Sequence, residues 1–322
     1  MRRVAATLAT RRLRGLAVTE LGLGGAPLGN LYHPISDEQA QATVDAAWEG
    51  GVRHFDTAPH YGLGLAERRL GAALAGRPRS QYVLSTKVGR LLEPNPAPSG
   101  SDLAAGGFAV PDDLVRRFDF SRDGVRRSLA ASLERLGLDR VDIVYVHDPD
   151  DHVDQAIREA LPELARLRDE GVVGAIGAGM NQWQAPLRMV READVDVIML
   201  AGRWTLLDHS GAPLLAECAA RGVAVVAAAP YNSGLLARDR PPADATFNYQ
   251  PVPPDVLARA SALADVCERH GTRLPVAALQ FPLRHPAVVS VMCGARTPDE
   301  MRAALRRLAA PVPEAAWRDL QA

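Results

Sequence analysis

The feature that most constrains the fold is a regular alternation of short apolar runs with amphipathic segments, repeated eight times along the chain. The apolar runs predict strands at 21–24, 52–56, 82–87, 141–147, 172–178, 195–200, 223–227 and 288–292. Apolar residues spaced three or four apart predict helices at 37–48, 64–74, 121–136, 153–168, 183–192, 209–220, 254–270 and 297–308.

Strands that are almost entirely apolar are buried on both faces, as in a parallel sheet. Eight consecutive strand-helix units favour a closed barrel over an open doubly wound sheet, which is the alternative. The length of 322 residues fits one such domain, because α/β barrels commonly reach about 250 residues before insertions. The sequence therefore predicts an α/β protein with a (β/α)8 TIM barrel over residues 11–322, preceded by a frayed tail over residues 1–10.

Three segments exceed the strand-helix repeat and predict extended loops after strands three, six and seven, at 88–120, 201–208 and 228–253. Each connects a strand to the following helix, so all three are expected on the C-terminal face, where barrel enzymes carry their sites. Residues 11–19, with Gly15 at the turn, predict a small hairpin that covers the opposite end. Residues 311–322 predict a tail with a short helix.

Composition argues against several classes of function. The 37 Lys and Arg residues balance 38 Asp and Glu, so the chain lacks the positive charge expected of a nucleic-acid-binding protein. Cys218, Cys267 and Cys293 fit neither a disulfide framework nor a metal-binding pair. The longest apolar run, 223–230, is shorter than the ~20 residues that cross a bilayer. We expect a cytoplasmic protein that acts on a small molecule, binds no metal, and associates with neither a membrane nor a nucleic acid. Composition does not predict the oligomeric state.

Four ionisable residues are predicted at the ends of three consecutive strands. Asp56 ends strand two and Tyr61 follows it, Lys87 ends strand three, and His147 ends strand four. Side chains at these ends converge over the mouth of a barrel, so we expect a single cluster. Lys87 is the only lysine among the 37 basic residues, which suggests a position where a guanidinium cannot replace a compact ammonium.

The chemistry of this cluster follows from the pKa values of its members. A free tyrosine has a pKa near 10, and a neighbouring ammonium is predicted to lower the pKa of Tyr61. Asp56 would keep Lys87 protonated, while a neutral His147 would donate a hydrogen bond to a substrate oxygen. Each residue alone has a commoner structural explanation, but together they predict transfer of one proton to or from a carbonyl or hydroxyl oxygen.

One segment carries a resemblance to a known family. Residues 51–58 read Gly-Val-Arg-His-Phe-Asp-Thr-Ala and are followed by Tyr61-Gly62, Glu67 and Leu70-Gly71. This pattern closely resembles the first signature of the aldo-keto reductase superfamily, and the resemblance extends over essentially the whole chain. It implies the same barrel, a catalytic tetrad of Asp56, Tyr61, Lys87 and His147, and a nicotinamide cofactor as hydride partner.

The resemblance also implies cofactor contacts at the ends of strands one, five, seven and eight. These are Gly25, Asn181, Tyr231, Asn232, Ser233, Gly234, Gly294, Ala295, Arg296 and Thr297. Small residues after strand seven suit the approach of phosphate oxygens, and the start of the last helix is a natural phosphate site. Residues 22–25 are rich in glycine but lack the G-x-G-x-x-G register, so a Rossmann site is rejected.

Several positions depart from the family pattern. Met180 stands where a serine is usual, and Ala228 where many members stack a tyrosine on the nicotinamide. Gly294 and Glu300 align with the Lys and Arg that hold the adenosine 2′-phosphate in NADPH-specific members. Because Glu300 would repel that phosphate, we expect a preference for NAD, with NADP as the alternative.

Within the superfamily, residues 145–150, 200–208 and 230–234 are similar to a branch of dehydrogenases. That branch contains L-fucose (D-threo-aldose 1-) dehydrogenase, L-galactose dehydrogenase and pyridoxal 4-dehydrogenase. The similarity implies NAD(P)-dependent oxidation of an aldose at C1 to the aldonolactone, with Tyr61 as acid or base. Three alternatives are an NADPH-dependent aldehyde or ketone reductase, a pyridoxal 4-dehydrogenase, and a non-catalytic subunit that binds NADPH.

Substrate contacts are expected from the loops of the C-terminal face. Aromatic surface interspersed with polar groups suits a pyranose, whose ring presents C–H patches and hydroxyls together. The candidate residues are Tyr32, Phe118, Asp148, Arg203 and Trp204, with Tyr249 as a further aromatic side chain.

Overall fold

A computed structural model describes residues 8–248 and 250–321; residues 1–7, which make up most of the predicted tail, and Tyr249 lie outside the described residues. Eight parallel strands form a closed barrel in which each strand pairs with its neighbours in chain order and the last pairs with the first. The strands are β1 (Leu21–Gly24), β2 (His54–Asp56), β3 (Val83–Val88), β4 (Ile143–His147), β5 (Ala175–Met180), β6 (Val197–Ala201), β7 (Ala224–Ala228) and β8 (Val288–Gly294). The predicted (β/α)8 barrel is therefore confirmed.

Helices follow the strands and cover the outside of the barrel. They are α1 (Asp37–Glu49), α2 (Leu65–Leu74), α3 (Arg122–Leu136), α4 (Val153–Gln155, a π-helical turn at Ala156–Ala160, and Leu161–Asp169), α5 (Gln184–Glu192), α6 (Ala212–Arg221), α7 (Pro254–Arg269), α8 (Leu274–Gln280), α9 (Pro298–Ala309) and α10 (Glu314–Leu320). Ser36 and Ser121 cap α1 and α3, because each hydroxyl accepts a backbone N–H of the first turn. Within the described ranges, no helix combines the length and apolarity required to span a bilayer.

Helix α8 is the helix of the barrel layer that the sequence analysis did not predict. Its residues Leu274–Leu279 are all buried, so the segment has no polar face and no helical period of hydrophobicity. The helix begins with Pro275 in its first turn and continues into a 3-10 turn at Phe281–Arg284. A helix buried on every side is indistinguishable by pattern from a buried strand or a packed loop.

The predicted hairpin is present and covers the N-terminal end of the barrel. Thr10–Leu13 pairs with Leu16–Thr19 in antiparallel register. Leu13 and Val18 are fully buried among the side chains that fill the barrel interior. The hairpin begins at Thr10, one residue before the predicted start of the domain. With this end covered, the C-terminal ends of the strands form the accessible mouth of the barrel.

The long loop after β3 folds over one side of the mouth. It contains an antiparallel hairpin of Arg90–Pro94 with Leu114–Phe118 and a helical turn at Leu103–Gly106. Phe108 from this loop is buried in a small cluster with Leu63 and Val110, beside Tyr61. This loop therefore packs against the barrel and forms a wall of the mouth.

Candidate active site

A buried ion pair joins the ends of β2 and β3. Asp56 and Lys87 are each 2% exposed, and Lys87 Nζ lies 2.6 Å from Asp56 Oδ2. Lys87 also donates to the carbonyl oxygen of Thr57 at 3.0 Å, and Ser85 Oγ donates to Asp56 Oδ1 at 2.7 Å. Both carboxylate oxygens and two protons of the ammonium thus have partners, which a buried pair needs to be tolerated.

Tyr61 and His147 complete the cluster that the sequence predicted. The ammonium of Lys87 lies 4.7 Å from the centre of the Tyr61 ring and interacts electrostatically with that side chain. The ring of His147, at the end of β4, stands edge-on to that of Tyr61 with centroids 5.9 Å apart. The structure thereby brings all four predicted catalytic side chains to one rim.

Two glycines allow Tyr61 to reach this position. A side chain on Gly29 would begin 2.6 Å from the carbonyl carbon of Tyr61, and one on Gly62 would begin 2.2 Å from the Gly29 oxygen. Gly62 also has a φ of +61°, in the left-handed region. The loop after β1 therefore packs directly on the backbone that carries Tyr61.

Burial sets the ionisation of Tyr61. Loss of solvent disfavours the phenolate and raises the pKa of Tyr61 to about 12, although the charge of Lys87 acts in the opposite direction. The predicted lowering of this pKa is therefore wrong for the protein alone, because desolvation outweighs the single neighbouring ammonium. The phenol form predominates at neutral pH.

Lys87 and His147 have the protonation states that the sequence analysis expected. Burial alone would lower the pKa of Lys87, but Asp56 and Tyr61 outweigh it and raise that pKa, so the ammonium is retained. Burial, together with the charges of Arg90 and Lys87, lowers the pKa of His147 well below its usual value. His147 is therefore a neutral imidazole at physiological pH.

A second ion pair, which sequence reasoning missed, lies next to His147. Arg90 Nη2 donates to Asp148 Oδ2 at 2.7 Å, and that oxygen lies 3.5 Å from His147 Nε2. The Arg90 guanidinium also lies 5.2 Å from the centre of the Phe118 ring. Asp148 was predicted as a substrate contact, but Arg90 was not. The only sequence feature that could have indicated a role for Arg90 is its position three residues after Lys87, in a long βα loop.

The loop after β3 also contacts the backbone next to Tyr61. Arg116 forms two 2.6 Å hydrogen bonds to the buried Asp102 and donates to the carbonyl oxygen of His60 at 2.9 Å. The ring of Phe108 stands edge-on to His60 at 5.2 Å and lies 6.1 Å from Tyr61. No local sequence pattern predicts the contacts of Arg116 and Phe108 with residues 60–61, because these residues are more than 40 positions apart along the chain.

Two predicted substrate contacts present aromatic surface at the mouth. Phe118 is 47% exposed and stacks on His152 with centroids 5.9 Å apart. Tyr32 is 41% exposed, and its backbone N–H donates to Gly107 of the loop after β3 at 2.8 Å.

Trp204 and Arg203, in the loop after β6, have different surroundings. The Trp204 ring packs against Phe281 at 5.4 Å and His209 at 5.5 Å, in the layer of helices rather than beside the four predicted catalytic side chains. Packing of this kind gives Trp204 a structural role. Arg203 donates to Asn248 Oδ1 at 2.9 Å and so joins the loops after β6 and β7.

The loop after β7 has the backbone geometry of a cradle. Asn232, Ser233 and Gly234 all have positive φ, at 47°, 59° and 95°. Asn232 is buried, and its Oδ1 has no hydrogen-bond partner within the described residues. The hydroxyl of Tyr231 accepts a hydrogen bond from Arg307 of α9 at 3.2 Å, so the Tyr231 side chain points into the protein. Any ligand contact of Tyr231 would therefore come from its backbone.

A carboxylate already occupies the start of α9. Thr297 Oγ1 accepts the backbone N–H of Glu300 at 3.1 Å, and Glu300 Oε2 accepts the backbone N–H of Arg296 at 2.7 Å. The Arg296 carbonyl is fixed in turn by Gln39 of α1 at 3.0 Å. Glu300 therefore places negative charge among the amides of residues 294–297, the segment predicted to approach the adenosine part of the cofactor.

The remaining predicted cofactor residues lie at the same face. A side chain on Gly25 would begin 2.7 Å from the backbone carbonyl oxygen of Asp56, so only glycine fits between the end of β1 and the backbone of β2. Asn181 follows β5 directly with an exposed side chain, and its backbone N–H lies near the Asp148 carboxylate. Gly25 and Asn181 thus border the four predicted catalytic side chains from two sides.

Comparison with known proteins gives consistent matches over nearly the full length. The profile of the aldo/keto reductase family matches residues 20–322. A D-threo-aldose 1-dehydrogenase from a Pseudomonas species is 47% identical over 310 residues, covering 95% of this chain and 94% of that protein. A pyridoxal 4-dehydrogenase from Microbacterium luteolum is 39% identical, with the same two coverages of 95% and 94%. The holo form of an aldo-keto reductase from Bacillus halodurans superposes with a TM-score of 0.78 at 26% identity, covering 98% of this chain and 95% of that one.

Proposed function

The chain belongs to the aldo/keto reductase family, and from this premise we propose that it oxidises an aldose at C1 to the aldonolactone, with NAD as hydride acceptor. As a member of a family of nicotinamide-dependent oxidoreductases, it is an enzyme that transfers hydride. The observation that carries the proposal is the contact of Tyr61 with the buried Lys87–Asp56 pair beside a neutral His147. The choice of an aldose extends to this chain the activity named for the Pseudomonas relative.

The proposed roles follow from protonation states and contacts. The Tyr61 phenolate accepts the proton of the C1 hydroxyl and becomes the phenol. Lys87, which Asp56 keeps charged, stabilises the phenolate that must be present before this transfer. His147, as a neutral imidazole, donates a hydrogen bond to the reacting oxygen. The nicotinamide, when bound, supplies the acceptor for the hydride that leaves C1.

The residues around the mouth fit such a cofactor. The Oδ1 of Asn232 has no hydrogen-bond partner among the described residues and can accept from a donor group of a ligand, and the positive φ angles of residues 232–234 give this loop a concave backbone. We propose that residues 231–234 hold the pyrophosphate, that Asn181 and Gly25 border the nicotinamide, and that residues 294–297 hold the adenosine end. For Tyr231, this contact is made through the backbone.

The substrate side of the proposal rests on the aromatic and polar groups at the mouth. Phe118 and Tyr32 present exposed rings there, and Asp148 and Arg203 present polar groups. Such a mixture suits a sugar ring better than a lipophilic aldehyde, which would leave buried polar groups unpaired. Trp204, which packs among the helices, is not retained as a substrate contact.

A panel of substrates tests the proposed function. We would follow the reduction of NAD and of NADP at pH 7 to 10 with L-fucose, L-galactose, D-arabinose and pyridoxal. The proposal expects turnover of at least one aldose and identification of its product as the lactone. Brisk reduction of simple aldehydes or ketones without turnover of any sugar would establish the reductase instead. Turnover of pyridoxal alone would establish the activity named for the Microbacterium relative.

The pH dependence of oxidation should follow the raised pKa of Tyr61. Oxidation needs the phenolate, whose fraction increases about tenfold per pH unit below the pKa. Because burial raises this pKa to about 12, we expect kcat/KM for the aldose to rise from pH 7 to pH 10 without a plateau near neutrality. Initial rates across that range measure it; a plateau below pH 8 would contradict the assignment of Tyr61 as base, unless bound cofactor is shown to lower its pKa.

The choice between NAD and NADP should depend on Glu300. Its carboxylate sits at the start of α9 and would repel an adenosine 2′-phosphate. We expect the protein to prefer NAD, and Glu300→Gln to raise kcat/KM for NADP about 5- to 10-fold, since one unit charge at this range contributes about 1 kcal/mol. The glutamine can still accept the Arg296 N–H, so kcat/KM for NAD should change less than about threefold. A clear preference of the unmodified protein for NADP would contradict this prediction.

A further inference from the structure

The carboxylate of Asp148 lies next to the four predicted catalytic side chains. It directly follows His147, and its Oδ2 is 3.5 Å from His147 Nε2. Its side chain is 14% exposed, so it is reachable from the mouth although largely enclosed. A carboxylate in such a place either serves the packing of the loop or contacts a bound molecule.

The carboxylate is held in place by Arg90 and by the backbone of Asp148 itself. Arg90 donates to Oδ2 at 2.7 Å and is itself only 12% exposed, with Phe118 beside its guanidinium. Burial raises the pKa of Asp148, while Arg90 and the nearby backbone N–H of Asn181, just after β5, act in the opposite direction. The backbone of Asp148 has a φ of +40° and donates to Gly179 at 3.0 Å. A residue in this left-handed conformation is strained unless its surroundings fix it, and here they do.

The carboxylate keeps capacity for a further donor. A carboxylate offers about four lone-pair sites, and the hydrogen bond from Arg90 uses one of them. It accepts hydrogen bonds and cannot donate them while ionised, so a ligand group bound there must carry a proton. A hydroxyl has that proton, whereas an ether, a carbonyl or a methylene group does not.

We infer that Asp148, positioned by Arg90, accepts a hydrogen bond from the substrate hydroxyl on the carbon next to the reacting carbon. The inference rests on the proposed function, in which His147 donates to the reacting oxygen. Oxygens on neighbouring carbons of a sugar lie about one hydrogen-bond length apart. The 3.5 Å between His147 Nε2 and Asp148 Oδ2 therefore lets two neighbouring oxygens each take one partner.

The consequence is selection for substrates with a hydroxyl at C2. A substrate with a methylene at that carbon would displace water from the carboxylate without replacing its hydrogen bond. Sites built to bind a hydroxyl reject the analogue that lacks it far more strongly than apolar pockets reject a changed methylene. Asp148 would then distinguish an aldose both from its 2-deoxy form and from a simple aldehyde or alcohol.

The test compares one aldose with its 2-deoxy form, both assayed with the same enzyme sample, so that the ratio of kcat/KM values is independent of the folded fraction. We use L-fucose and 2-deoxy-L-fucose unless the substrate panel identifies a better aldose. The variant is Asp148→Asn, because asparagine tolerates positive φ and preserves the shape of the side chain. The control is Asp150→Asn, which removes a neighbouring exposed carboxylate that acts on Asp148 only through space.

The unmodified enzyme should favour the 2-hydroxy sugar by about 10²-fold, and Asp148→Asn should reduce that ratio by about 10-fold or more. The loss should fall on the 2-hydroxy sugar, while kcat/KM for the 2-deoxy sugar and the Kd for NAD change little. Tm should fall, because Arg90 loses the carboxylate of a largely buried ion pair. Asp150→Asn should keep the original ratio. Equal losses for both sugars, or an unchanged ratio, would overturn the inference while leaving sugar oxidation intact. Absence of any sugar turnover by the unmodified enzyme would overturn the proposed function and this inference with it.

Discussion

We expect Tyr61→Phe to lower kcat for aldose oxidation by about 10²-fold or more, the range attributed to a positioned acid or base. The substitution removes only the hydroxyl. The phenylalanine ring can keep the contacts with Phe108 and with the Lys87 ammonium, so the protein should fold and bind cofactor as before. Steady-state rates measured together with Tm and the Kd for NAD separate loss of chemistry from loss of structure.

Tyr82→Phe is the matched control for this prediction. Tyr82 is buried against Trp48 and Arg79 outside the barrel, so its hydroxyl has no route to the mouth. Its removal should leave kcat within about twofold, as expected for a small change in packing away from the site. Nearly full turnover of Tyr61→Phe would show that another group moves the proton.

The second large effect is expected from Lys87→Met. It leaves the Asp56 carboxylate buried without its cation, which typically costs about 3 to 5 kcal/mol in the free energy of unfolding. It also removes the charge that stabilises the Tyr61 phenolate, so kcat should fall by about 10²-fold or more. Chemical denaturation at pH 7 measures the first loss and initial rates measure the second.

The double variant Asp56→Asn/Lys87→Met separates these two effects. Removing both charges also removes the cost of an unpaired buried carboxylate, so much of the lost stability should return. Activity should stay low, because no ammonium remains beside Tyr61. Recovery of activity together with stability would show that Lys87 is needed only for folding.

The sequence predicted the barrel because its strands are buried on both faces and therefore carry a strong local signal. The strand at 21–24 has the same bounds in the structure, and the other strands end within two residues of prediction. Starts were less accurate: Val52 is buried but precedes the ladder that begins at His54, because burial extends beyond hydrogen-bonded pairing. Helices with an amphipathic period were predicted for the same reason.

What the sequence did not predict depends on contacts between distant residues. Arg90 and Asp148 are 58 positions apart, and neither belongs to a periodic pattern that marks its partner. The indole of Trp204 was expected at the mouth, but it packs with Phe281, which follows the unpredicted helix α8. The raised pKa of Tyr61 likewise follows from its burial by the folded loops. The degree of burial cannot be derived from the spacing of residues along the chain.

The central claim, removal of hydride from C1 of an aldose, is tested most directly with an aldose deuterated at C1. If the account is correct, the reduced nucleotide carries the deuterium, turnover shows a primary isotope effect on the chemical step, and Tyr61→Phe slows the transfer by about 10²-fold or more. A reduced nucleotide without deuterium would place the oxidation at another carbon. That result would contradict the account even if the sugar were consumed.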